Sequence, residues 1–474
     1  MSTEKRELGR IYTDEKIKKQ AELDKKMIEV KWKELEEKLS LITKKELAED
    51  IVNALRELYS IYNKEQIVWI ANLYDPTTGG FYYSNSARDN EEVECEGKIY
   101  KLRPDLESTS QATGMLITSH MADSYDGSIA YALPEWMGKQ IAEFAKNLQD
   151  EETGYFYHPQ WGKERTNKWK NRRGRDLQWG IRLLDRFNDA PLYKTPLEDR
   201  SDDNSVKRSP HLESKEAFIE FLNGYKIDPN DPYSAYRVGN QLESQSPEIA
   251  ARDAELKKLG ADYSLTAILK EWLDARYNAE NGTWTNADLC YDSCNGILKI
   301  CSTYTKCGIP LPDPIAPLKV AIKCITLKTR PDHICCILNP WYALNTIISI
   351  IKNSTAYSTE KISEILENMN TEILKNYPEM IRITAEKLKI FLKEDGSFSY
   401  NETHSCHYSQ MMPVAIPNTN EGDFNATSIC TVSVPMHIFQ YLGIRSIPLY
   451  TESDRMRLVS LLEKNKRNAK GENQ

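Results

Sequence analysis

At 474 residues, with 40% apolar and 28% charged residues and a net charge of -8, the chain has the composition of an ordinary globular protein. It is long enough for two or three ordinary domains or for one large repetitive one. Its Lys and Arg form no long basic stripe of the kind that replaces phosphate counterions, which argues against a nucleic-acid partner. No run of about 18 apolar residues exists to span a membrane. Met1–Glu7 lacks the apolar core of a secretory signal, so a cytoplasmic location is expected.

Residues 1–45 read as a charged helical lead-in with few apolar anchors. From 46 to 74, Leu47, Ile51, Leu55, Leu58, Ile61, Val68, Ile70 and Leu73 recur at helical spacing and predict one long helix. A turn follows at Asp75–Ser84, where Asp-Pro starts the bend and Gly79-Gly80 supply positive φ. Beyond a loop with Arg88 and Asp89, Asp105 and Glu107 head a second, apolar helix.

The same order of turn and polar-headed helix recurs. The second unit has a helix from Pro134, a turn at Asp150–His158 nearly copying the first, a basic stretch, and a helix over Arg175–Leu184. Residues from about 188 to 212 read as a polar rim excursion. The third has a short helix at Phe218–Leu222, a turn at Asp228–Tyr236, and a helix from Gly239 to about Leu259. The fourth turns at Asn278–Trp284 between Tyr263–Tyr277 and a helix from Tyr291. The fifth enters through Pro310, Pro312, Pro314 and Pro317, and its second helix carries Asn339–Asn345. The sixth turns at Glu394–Tyr400, passes His404 and His407, and restarts at Glu421–Ser428.

Six such units predict one repetitive all-α domain over 46–445, followed by a C-terminal helix and polar tail over 446–474. The second helices are the more apolar and carry Ala112, Gly114, Gly180, Gly296, Ala343 and Ala426, as inner helices packed on both sides require. Six inner helices within six outer ones make an (α/α)6 toroid. The ten cysteines, several of them at helical spacing among apolar residues, predict free thiols, and no metal or cofactor is expected.

Gly396–Phe398 followed by Glu421–Thr427, and likewise Gly79–Phe81 followed by Asp105–Glu107, resemble the repeat of terpenoid cyclases and protein prenyltransferase β subunits. The pattern also resembles (α/α)6 glycoside hydrolases and polysaccharide lyases. The resemblance covers about residues 46–445 and implies a fold rather than an activity.

In such a ring the heads of the inner helices face one funnel. Those heads are Asp105, Glu107 and Gln111; Asp176, Gln178 and Trp179; Asn240, Gln241 and Glu243; Tyr291, Asp292 and Asn295; Asn339, Trp341 and Tyr342; and Asp423 and Asn425. Arg88, Tyr82, Tyr83, His158, His404, His407 and Tyr408 come from turns and rim loops. Asp105, Asp292 and Asp423 sit where helix N-caps are expected. Flat amphipathic rings beside carboxylates and amides suit a sugar, whose CH faces stack and whose hydroxyls are hydrogen-bonded.

The resulting expectation is a carbohydrate-active enzyme, most simply a glycoside hydrolase acting on oligosaccharides, with Glu107, Asp423 and Asp292 as the working carboxylates. Elimination from a uronic acid would use the His, Tyr, Arg and Asn inventory instead. An isoprenoid enzyme is the rival class, but Ser201–Ser205 (Ser-Asp-Asp-Asn-Ser) is the nearest string to a diphosphate-binding acidic motif, and no Asp-x-Cys precedes a suitably placed His for a prenyltransferase zinc. A non-catalytic toroid that only binds a glycan or a protein is the remaining alternative.

Overall fold

The computed structural model describes residues 11–199, 208–354 and 357–471. The string Ser201–Ser205, the first ten residues of the lead-in and the last three of the tail lie outside them. The chain is mostly helical. In order it forms α1 (Asp14–Ile42), α2 (Lys45–Tyr59), α3 (Gln66–Leu73), α4 (Asn85–Asp89), a hairpin of β1 (Glu92–Cys95) and β2 (Lys98–Lys101), α5 (Leu106–Thr118), α6 (Ile129–Ala132), α7 (Glu135–Lys146), α8 (Gly162–Lys168) and α9 (Lys170–Arg186). Then come α10 (Lys215–Asn223), α11 (Pro232–Lys258), α12 (Leu265–Asp274), α13 (Tyr291–Lys306), α14 (Ile315–Ile325), α15 (Cys335–Lys352) and α16 (Thr359–Lys389). A small hairpin of β3 (Tyr408–Ser409) and β4 (Met412–Pro413) precedes α17 (Phe424–Ser428), α18 (Val434–Leu442) and α19 (Glu452–Ala469), with one π-helical turn between α17 and α18.

The second helices of the units pack in succession. α5 lies against α9, α9 against α11, α11 against α13, α13 against α15, and α15 against α18, while α17 returns to α5. The first helices lie outside this succession: α7 on α9, α12 on α11, α14 on α13 and α15, and α16 on α15 and α2. Small residues sit at the close approaches. A methyl at Gly180 would stand 2.8 Å from the Phe156 ring, one at Gly296 the same distance from Ala235, and one at Gly174 would strike the Ser244 carbonyl.

The repeated turns share their hydrogen bonds. Asp75 N–H donates to Gly80 O and Gly79 N–H to Asp75 O; Asp150, Tyr155 and Gly154 repeat this, and so do Asn278, Thr283 and Gly282. The first and last units match further. Phe81 N–H donates to Thr109 Oγ1 and Phe398 N–H to Thr427 Oγ1, both at 2.9 Å. Asp105 N–H and Asp423 N–H donate to the carbonyls of the same two phenylalanines.

Several elements depart from the sequence expectations. The helix expected over 46–74 breaks into α2 and α3, because the Asn63 side chain accepts the Glu65 N–H in a local turn and Gly396 packs onto that turn. Asp228–Tyr236 is only half a turn. Pro232 opens α11 with Asp231 as its cap, and the helix runs on through Pro247. The lead-in is anchored rather than merely solvated: α1 packs on α2 and α19 through Trp32, Leu35 and Leu39. Asp292 is not an N-cap, since Cys290 holds that position and Asp292 lies within the first turn of α13.

Candidate functional site

The head of α5 is built by Asp105, whose Oδ1 accepts the N–H groups of Glu107 (2.8 Å) and Ser108 (3.1 Å). That cap turns Glu107 towards α9, where Arg172 lies fully buried. The Arg172 guanidinium donates to Glu107 Oε2 (2.9 Å), Asp105 Oδ1 (3.3 Å) and Asp176 Oδ1 (2.9 Å), and lies over the Trp161 and Trp179 rings at 4.3 and 5.3 Å. One cation thus faces three carboxyl groups in a dry setting. Burial pushes Asp176 up to about 7 and Glu107 above the usual carboxylate range, against the pull of Arg172 in both cases. Ser409 on β3 donates its hydroxyl to Glu107 Oε2, and Gln111 links Glu107 (3.3 Å) to Asn425 (3.0 Å).

A second centre, of opposite character, forms around Glu243 on α11. Arg175 donates to Asn240 Oδ1 (2.7 Å) and Glu243 Oε2 (3.2 Å); Lys299 stands 3.6 Å from Glu243, and Lys306 is in direct contact with it. Burial opposes the Glu243 charge, but Lys299, Arg175 and Lys306 outweigh it and hold the carboxyl well below its ordinary range. Burial in turn lowers Lys299 to about 8. The charge of Arg175 on α9 bears on Glu107 of α5, Tyr236 of α11, Lys299 of α13 and Tyr342 of α15.

The β3–β4 hairpin lies over both centres. Its tip, Gln410 and Met411, has φ of 50° and 69°, the two-residue turn that matches the twist of the flanking strands. Gln410 Oε1 accepts from Asn171 (2.9 Å) and Asn240 (3.0 Å), and Met411 O accepts from Arg165 (2.8 Å).

The remaining expected residues divide. Gln178 bonds the Gly174 and Ser244 carbonyls and meets Lys306 at 3.5 Å; Gln241 accepts from the Asn171 N–H; Asn339 donates to Asn295 Oδ1 at 2.8 Å. Tyr342 stacks on His437 at 4.4 Å and keeps 37% of its surface exposed. Tyr83 is buried among Asp423, Cys406 and Glu107, and its hydroxyl bears on the Asp423 carboxyl. Asp292 has one side-chain bond, from Asn295 at 3.4 Å, and acts on Tyr233 rather than on Glu107.

Asp423 serves the backbone. Its carboxylate accepts N–H groups from Ala426, Tyr400 and Cys406 at 2.8, 3.0 and 3.3 Å, and burial pushes it up to about 7 against those bonds. His158 is likewise spent, its Nε2 on Pro104 O (2.8 Å) and its Nδ1 on the Gln160 N–H (3.2 Å). Trp341 is core, with its indole N–H on Thr384, and Tyr291 bonds the Thr329 carbonyl. Arg88 pairs with Asp89 and with the Asn72 carbonyl, Tyr82 lies near Asp75 and Arg103, and Tyr408 reaches Cys95 on the β1–β2 hairpin. His404 bonds Thr403 and Asn401, and the His407 ring lies 4.5 Å from that of Tyr408, tilted by 57°.

Sequence reasoning missed Arg172, Arg175, Lys299, Lys306, Ser409 and Gln410. A signal existed for Arg175, which opens the helix expected over Arg175–Leu184, whereas Arg172 fell in the basic stretch before it because α9 starts earlier, at Lys170; for the others the pairing is three-dimensional only. Among the described residues no three His, Cys, Asp or Glu side chains are grouped to hold a metal, and all ten cysteines are free thiols. No family model, curated protein or solved structure matches the chain.

Proposed function

We propose that the ring of inner helices is an (α/α)6 toroid and that the chain is a carbohydrate-active enzyme, a glycoside hydrolase with Glu107 as its general acid. The observation that carries this is the pair Glu107 and Glu243, two carboxyl groups tied into one polar network whose surroundings push their proton affinities in opposite directions. Acid-catalysed glycoside cleavage needs one carboxyl group that keeps its proton and one that stays ionised. Arg172 and Ser409 fix the Glu107 carboxyl, while Gln111, whose Oε1 has no hydrogen-bond partner among the described residues, supplies an amide for a sugar hydroxyl and Tyr342 a partly exposed ring for a sugar face. Asp423 acts as a positioning residue that holds α17.

A second reading, elimination from a uronic acid, is favoured by one observation: three cations gather on the single carboxylate of Glu243. That surplus positive charge suits a substrate carboxylate, whose neutralisation is what elimination requires. Neutral and uronate-containing oligosaccharides incubated with the protein and with Glu107→Gln separate the readings. Hydrolysis yields new reducing ends with no new ultraviolet absorbance, whereas elimination yields an unsaturated product that absorbs. The hydrolase reading predicts turnover in the wild type and a loss of about 100-fold or more in kcat for Glu107→Gln. Full activity of that variant on every substrate the wild type cleaves would sink it.

A further inference from the structure

Arg172 and Arg173 are consecutive on α9 and point to opposite sides. Arg172 faces Glu107, while Arg173 lies over the Tyr155 ring at 4.4 Å and stands 3.6 Å from Glu248. On this second side lies a cleft of about 650 Å³, walled by the Asp150–Tyr157 turn, α8, the first turn of α9, Ser209–His211 and α10. It is outside the network around Glu107 and Glu243.

Three polar groups on its wall lack partners among the described residues. Both ring nitrogens of His211 are unbonded although the residue is only 5% exposed. Arg173 donates to Ser209 Oγ (3.0 Å) and Asn167 Oδ1 (3.3 Å), yet its Nε is unmet. Lys170 is half-buried, and its one close contact is with the Phe221 ring, 6.0 Å from the centroid. The same ring lies 4.3 Å from that of His211, so lysine, histidine and phenylalanine border one space. Of the acidic groups around it, Asp150 is held by Lys163, and Glu152 and Glu220 are exposed at the lip; Glu248 is buried, accepts the Tyr155 hydroxyl and balances the charge of Arg173, its Oε1 making no hydrogen bond among the described residues.

Burial and the charges of Arg173 and Lys170 lower His211 to about 3, so at neutral pH its ring offers one N–H donor and one lone pair. Donors left unmade in a buried place are costly; with the charge of Arg173 balanced by Glu248, Lys170 is the cation that favours an anion, and Arg173 Nε and the His211 ring are the unmet donors beside it. The Phe221 and Tyr157 faces favour a flat ring.

We propose that this cleft binds a small ring-borne anion, a carboxylate or phosphate monoester carried on a flat ring, with the anionic group on Lys170, Arg173 Nε and the His211 N–H and the ring against Phe221. The test is calorimetric titration of the full chain with phenyl phosphate, inorganic phosphate and phenol. Saturable one-to-one binding of phenyl phosphate is expected, about ten-fold or more tighter than either part alone. Lys170→Met and His211→Leu should each weaken it by about ten-fold or more, because each removes a charged or polar partner of the anion. Glu107→Gln should leave it unchanged. Absence of saturable binding, equal binding in Lys170→Met, no advantage of phenyl phosphate over inorganic phosphate, or loss of binding in Glu107→Gln would each overturn the proposal. Should His211→Leu fail to fold, as circular dichroism would reveal, Lys170→Met decides.

Discussion

Asp423 and Glu107 are both buried carboxyl groups at helix heads, of α17 and α5, and their surroundings separate them. Asp423 is enclosed by three backbone N–H groups, whereas Glu107 is tied to side chains that a substrate could displace or join. The folded state holds the Asp423 proton up to about 7, against an ordinary 3.8, so it binds more protons than the unfolded chain in that window. Stability therefore falls as pH rises from about 4 to 7 through this group. Asp423→Asn, which cannot ionise but can still accept an N–H bond, is expected to flatten the fall; urea midpoints at pH 5 and pH 7.5 in both proteins check this. Ser409→Ala removes a donor to Glu107, leaving its proton more firmly held. With Glu107 as general acid, the alkaline limb of the pH–rate profile should move to higher pH, and an unmoved limb would contradict that role.

Among the helices and turns, much was legible where a local rule acts alone. The Gly79 and Gly396 turns, the Asp105 and Asp423 caps and the small residues on the inner helices all follow from backbone requirements that the sequence displays. The break between α2 and α3 and the true start of α11 were not legible from periodicity. One depends on an Asn63 side chain choosing its own backbone, the other on Pro232 being a helix opener rather than a turn residue. Nor was the β3–β4 hairpin, because its tip, Gln410-Met411, lacks the glycine that usually marks such a turn. That conformation is strained in a side-chain-bearing residue. Met411→Gly is expected to stabilise the protein by about 0.5–1 kcal/mol, since the contact from Arg165 goes to the Met411 carbonyl and survives. Thermal denaturation checks it, and a lowered Tm would show that the Met411 side chain contributes more than the turn costs.

Across the chain as a whole, repetition was readable because the turns at Asp75, Asp150 and Asn278 share their hydrogen bonds and those at Phe81 and Phe398 share a contact to the following helix, and the site was readable only as a set of helix heads. Which heads touch was not. The pairing of Arg172 with Glu107 spans 65 residues, and that of Ser409 with Glu107 spans 302. The succession of packed helices returns on itself where Phe424 packs on Trp69 at 4.6 Å and Phe81 at 5.4 Å, joining the last unit to the first. Phe424→Ala should therefore cost about 3–5 kcal/mol and lower the transition of the whole chain; a change confined to α17–α19, read by hydrogen exchange, would show that the first and last units do not unfold together. If Glu107 is the general acid of a glycoside hydrolase, a saccharide must reach its buried carboxyl group, displacing or joining the side chains now closed on it. A crystal structure of Glu107→Gln soaked with a substrate that the wild type cleaves would show whether it does. The expected density is a sugar ring on Tyr342 with its scissile oxygen within hydrogen-bond reach of the substituted amide at position 107, whereas a saccharide bound only elsewhere, with that side chain still closed on Arg172 and Ser409, would contradict the assignment.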